Sequence, residues 1–92
     1  MIDKILTLHP QGKKGVNIDS AKYALIRREI ISKIKKDKQI SYGELTDYIE
    51  KKLSNTFKGS VKWYVVSVKL DLEARNIIER VPMTSPHELR MS

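Results

Sequence analysis

Apolar residues along this chain recur at two different periods, and the switches between them mark out its elements. Tyr23, Ile26, Ile30 and Ile34 are spaced by three and four, which lays one apolar stripe along a helix. Asp19 or Ser20 can cap its start. The stripe ends near Asp37, where Lys33, Lys35 and Lys36 place cations at the negative end of the helix dipole. A second helix is predicted from Ser41-Tyr42-Gly43-Glu44, an S-x-x-E capping box with Ile40 and Leu45 placed as a hydrophobic staple. Leu45, Ile49 and Leu53 continue its apolar face, and Gln39-Ile40 in front of it fit a very short strand.

The run from Val61 to Arg75 carries both periods at once. Val61, Trp63 and Val65, then Val66, Val68, Leu70 and Leu72, alternate as in a strand, whereas Val61, Tyr64, Val65, Val68 and Leu72 fit a helical stripe. Its length and its strongly helix-forming end, Leu72-Glu73-Ala74-Arg75, decide for a helix, capped by Ser60 and stopped by a left-handed Asn76. Ile77 to Val81 and His87 to Met91 read as strands joined through the proline-bounded turn Pro82-Met83-Thr84-Ser85-Pro86. Met1 to Asn17 contain His9-Pro10 and two glycines, which predict a loop or extended arm. The expected fold is α+β: one domain over 1–92, winged helix-turn-helix-like, with three helices followed by a C-terminal β-hairpin and an N-terminal arm over 1–17.

Two long motifs carry a resemblance. His9-Pro10-Gln11-Gly12-Lys13-Lys14-Gly15-Val16-Asn17-Ile18 with Tyr23 is the first, and Gly59-Ser60-Val61-Lys62-Trp63-Tyr64 with Val68-Lys69-Leu70-Asp71-Leu72-Glu73-Ala74-Arg75 is the second. Together they resemble the signature of a family of short, uncharacterised prokaryotic proteins, over nearly the whole chain. The resemblance implies a winged-helix-like fold and brings no activity, catalytic residue or ligand with it.

Composition narrows the possibilities further. Ninety-two residues suffice for one modest core. With no cysteine, disulfides, thiolate metal sites and cysteine nucleophiles are excluded, which suits a reducing cytoplasm. No apolar run approaches the ~18 residues of a membrane span, so no membrane partner is expected. The formal charge of +7 favours phosphate-bearing partners. It is front-loaded, since residues 1–40 hold ten Lys/Arg against four Asp/Glu.

In a winged helix the third helix enters the major groove and presents polar side chains to the bases. Here the face opposite its core stripe holds Trp63, Val66 and Leu70, a poor reading head and a better packing surface. The hairpin, the arm folding back or a partner subunit would each cover it. A DNA-binding reading therefore draws its phosphate contacts from Lys13, Lys14, Lys22, Arg28, Lys62, Lys69 and Arg80. On charge and element order it stands first. The alternative is a protein-interaction or homodimer module in which Trp63, Val66 and Leu70 form the shared surface.

Little in the chain points to catalysis, and a non-enzymatic protein without cofactor or metal is expected. His9 and His87 are the two side chains that titrate near neutrality, and they lie at opposite ends of the sequence. A metal site would need both with Asp3 or Glu88, at spacings that suggest no such cluster. Gly12-Lys13-Lys14-Gly15 lacks the P-loop pattern and reads as a turn with exposed lysines. Lys69, Asp71, Glu73 and Arg75 read as ion pairs along a helix surface.

Overall fold

The computed structural model describes residues 3–92; Met1 and Ile2, the first two positions of the expected arm, lie outside them. Among the described residues the chain forms β1 (Lys4–Leu6), β2 (Asn17–Asp19), α1 (Ser20–Asp37), β3 (Gln39–Ser41), α2 (Tyr42–Leu53), α3 (Val61–Ala74), β4 (Ile78–Val81) and β5 (Glu88–Met91). The caps are those that the residues suggested. Asp19 accepts from the amides of Ala21 and Lys22, Ser41 from Glu44 and Ser60 from Trp63. Each side-chain oxygen thereby satisfies amides that a helix start leaves open. Asn76 follows α3 with φ of 60°, the left-handed stop.

The α1 stripe of Tyr23, Ile26, Ile30 and Ile34 packs onto Val61, Val65, Val68 and Leu72 of α3, with Leu45, Ile49 and Leu53 of α2 completing the helical side. Antiparallel strands in the order β3-β5-β4 close the core with Ile40, Ile78 and Leu89. From α1 onward, helix, strand, helix, helix and hairpin follow one another, which gives the expected α+β order of three helices and a C-terminal hairpin, and the strand after α1 pairs onto the last strand. The strand alternative for residues 61–75 loses for a physical reason. As a helix, that segment buries one stripe against α1 and α2 and still leaves two flanks for polar partners.

The arm is more ordered than a loop. Lys4–Leu6 pair antiparallel with Asn17–Asp19, in the register Ile5 to Ile18. One further backbone bond, Thr7 N–H to Val16 O at 2.9 Å, extends the ladder, and Thr7 Oγ1 accepts from the Val16 amide at 3.0 Å. Gly15 makes this possible, because a Cβ at that position would lie 1.8 Å from the Thr7 carbonyl oxygen. The intervening turn is closed by Gly12 N–H to His9 O, with Gly12 at φ of 73°.

Two glycines make a matched test of this packing. Gly15→Ala should lower stability by about 1–3 kcal/mol, as overpacking does, and speed amide exchange at Thr7 and Val16. Gly43→Ala, in the open first turn of α2, should be neutral or stabilising by up to about 1 kcal/mol. Denaturant midpoints and hydrogen exchange check both.

Candidate functional site

The outer side of α3 is where the fold concentrates polar interior and exposed apolar surface together. Asp71 is fully buried although it belongs to a helix flank. Its carboxylate accepts the Leu8 amide of the arm at 2.8 Å, the hydroxyl of Tyr23 on α1, and Arg75 Nε at 2.9 and 3.0 Å. Three donors from three segments meet one negative charge, which is how a buried carboxylate is held without a large desolvation penalty. Burial first, and then the bond to Asp71, push the Tyr23 hydroxyl up to about 12. Bonding to Asp71 likewise holds the Arg75 guanidinium above its ordinary value. The helix-surface pair expected between Asp71 and Arg75 is thus a corrected reading: the acid is interior and fixes the arm.

On the opposite flank Lys69 is also interior, at 2% exposure. Its Nζ lies 2.9 Å from Glu73 Oε2 and 5.2 Å from the Tyr42 ring centroid, while Arg80 Nε binds Glu73 Oε1 at 2.8 Å. Burial holds Lys69 below the usual lysine value, against the opposing pull of Glu73. His87 stacks on Tyr42 at 5.4 Å, and its Nε2 is buried with no hydrogen-bond partner among the described residues. Burial, then Lys69, then Arg80 hold the imidazole below its ordinary value.

These facts revise the phosphate-contact set. Lys69 is enclosed and cannot reach a phosphate. Lys22 donates to Lys58 O at 2.8 Å and lies over the rings of Phe57 and Tyr64, so it ties α1 to the turn before α3. Arg80 is exposed but committed to Glu73. Arg28 lies roughly 150° around α1 from the stripe that meets α3, at 100° per residue, and so faces away from it. Lys13, Lys14 and Lys62 remain exposed, and no carboxylate of the described residues lies within 4.0 Å of them.

The apolar set is revised too. The arm crosses the C-terminal half of α3: Thr7, Leu8, His9, Lys14, Gly15 and Val16 share one depression with Ser67 and Leu70, and a second places Leu6 and Leu8 beside Ala74. Leu70 and Val66 are half-buried and Trp63 stays 43% exposed, edge-on to Tyr64. The arm brings its own apolar side chains to this side, Leu6 at 54%, Leu8 at 45% and Val16 at 36% exposure. Leu6 and Leu8 were legible only as an i, i+2 pair once the arm is known to be extended. A groove of about 510 Å³ runs between the arm at His9, Pro10 and Gln11 and the hairpin at Glu79 and Arg80, with Leu70 and Glu73 of α3 in its wall.

His9 lines that groove and its Nδ1 accepts from the Gln11 amide at 3.1 Å, so it serves the turn. No group of three or more His, Cys, Asp or Glu among the described residues is placed to hold a metal ion. No helix of the described residues is long and apolar enough to cross a membrane.

Fold and surface together define a small α+β domain of three helices and a C-terminal strand pair, whose third helix is partly roofed by its own N-terminal hairpin. The chain belongs to the family of unknown function DUF6958, whose model matches residues 4–89. No curated protein and no solved structure matches it.

The Asp71 centre and His87 make separable predictions. Tyr23→Phe should cost about 1.5–3 kcal/mol, the value of a hydrogen bond to a charged group, and Asp71→Ala, which strands the Leu8 amide and the Tyr23 hydroxyl among its three donors, roughly 2–5 kcal/mol. Both should raise exchange at the Leu8 amide. For His87 the folded value lies below the unfolded one, near 6.5. Its contribution is therefore complete above that pH and is lost as pH falls through the lower folded value. Unfolding midpoints between pH 7 and pH 5 should decline in the wild type and decline less in His87→Phe.

Proposed function

We propose that this domain is a protein-interaction module that uses the outer side of α3 together with the arm. The observation that carries this reading is that Leu6, Leu8 and Val16 of the arm, all at least 36% exposed, line depressions against Ser67, Leu70 and Ala74 of α3, the helix that also carries the 43% exposed Trp63. Scattered exposed apolar residues need no explanation, but a cluster on one side of a small domain is the usual mark of a surface that another protein covers. Aromatic anchors within such a cluster are typical of interface centres, which gives Trp63 the leading role and half-buried Leu70 and Val66 a supporting one.

Nucleic-acid binding, the reading that charge and element order favour, is less well supported by the arrangement. A reading head needs hydrogen-bonding side chains along the outer side of α3. The arm occupies part of that side, Lys69 is buried, and Lys22 and Arg80 are engaged by other groups of the protein.

Photo-crosslinking residues introduced at positions 63 and 8 in living cells test the proposal. Discrete, nuclease-resistant protein adducts are expected at both positions and not at position 36, on the exposed end of α1. A +7 chain will hold duplex DNA weakly at low salt whatever its function, and Trp63→Ala should leave that affinity unchanged. Nuclease-sensitive adducts, or a tenfold loss of duplex binding in Trp63→Ala, would overturn the proposal in favour of nucleic acid.

A further inference from the structure

We infer that the segment received on this surface is acidic as well as apolar: an amphipathic stretch of another protein that sets carboxylates against Lys13 and Lys14 and apolar side chains against Leu8, Val16 and Trp63. The inference rests on the interaction reading above and goes further by fixing the partner's charge.

The argument is one of charge accounting around the patch. Acids near it are already used inside the molecule: Asp71 by Arg75, Tyr23 and the Leu8 amide, Glu73 by Lys69 and Arg80, and Glu79 by Arg90 at 2.6 Å. The cations that border it are not. Lys13 and Lys14 line the depression that holds Leu6 and Leu8. Neither has a carboxylate within 4.0 Å among the described residues. The uncompensated charge at the rim is therefore of one sign, and a partner of the opposite sign gains in both encounter rate and register.

Other occupants match only part of this surface. A second copy of the chain would bring its own two lysines and its own +7 charge against these. A nucleic acid would answer the lysines but leave Leu6, Leu8 and Val16 wet, with Trp63 alone offering a ring on which a base stacks. An acidic amphipathic segment answers both halves. The space beside the arm, about 430 Å³ where Leu6, Leu8 and Lys13 meet Ala74, accommodates side chains of that segment rather than a whole element.

Selection from a random peptide display library against the whole chain tests this without a known partner. The expected winners combine net negative charge with several apolar residues, and lose at least tenfold in affinity both on Leu8→Ser and on the double change Lys13→Glu, Lys14→Glu. The same charge reversal at Lys35 and Lys36, on the end of α1, should cost less than threefold. If the winners are uncharged yet still lose affinity on Leu8→Ser, the acidic partner is wrong and the interaction reading stands. If acidic peptides respond equally to reversal at either lysine pair, the binding is diffuse attraction and the inference falls. If no selected peptide distinguishes Leu8→Ser from the wild type, both the inference and the interaction reading fail. Circular dichroism and unfolding midpoints of each variant establish that losses reflect the surface and not the fold.

Discussion

A single buried carboxylate organises the side of this protein on which the arm meets α3. Asp71 is placed on the flank of α3, where solvent would ordinarily reach it, and it is enclosed because three segments deliver donors to it: the arm through a backbone amide, α1 through Tyr23, and α3 itself through Arg75 one turn on. An ion in that position is tolerable only while all the donors stay in place. The position of the arm is thereby coupled to the packing of α1 on α3. The apolar surface that the arm builds with Trp63 inherits its shape from the same centre.

The two flanks of α3 solve the same problem with opposite charges. Toward the arm a carboxylate is buried and donors converge on it. Toward the hairpin an ammonium is buried, with Glu73 beside it, Arg80 on the far side of that acid and the Tyr42 ring within cation–π distance. Between these polar flanks the inner stripe is purely aliphatic. A helix built this way has little freedom to rotate, since a turn in either direction would separate one buried charge from its partners. The rotational setting of α3 decides which residues face outward, so the flanks indirectly fix Trp63, Val66 and Leu70 on the open side.

Much of the framework was legible in the sequence, and for identifiable reasons. The caps at Asp19, Ser41 and Ser60, the stripes on all three helices and the left-handed Asn76 are local signals, each readable within a few residues. The hairpin turn was likewise bounded by its prolines. What could not be read were consequences of long-range contact. Lys69, Asp71, Glu73 and Arg75 have the spacing of an ordinary solvated helix face, and nothing local says that Leu8, sixty-three positions before Asp71, will cover one of them. The arm looked irregular because its strands are three residues long and its pairing depends on a close approach at Gly15. The candidate surface was half visible: Trp63, Val66 and Leu70 stood out as an apolar second face, while Leu6, Leu8 and Val16 had no meaning until the arm was seen to lie beside them. The lysines were countable but their directions were not.

The long reach between the arm and α3 also bears on how the chain acquires its structure during synthesis. Translation delivers residues 3–19 before α3, and their anchor on α3 is the last of the three helices to emerge. Closing a loop of that length is slow relative to helix formation and gains nothing until Asp71 is available. The hairpin of the arm therefore has no anchor on α3 until α3 itself has been made.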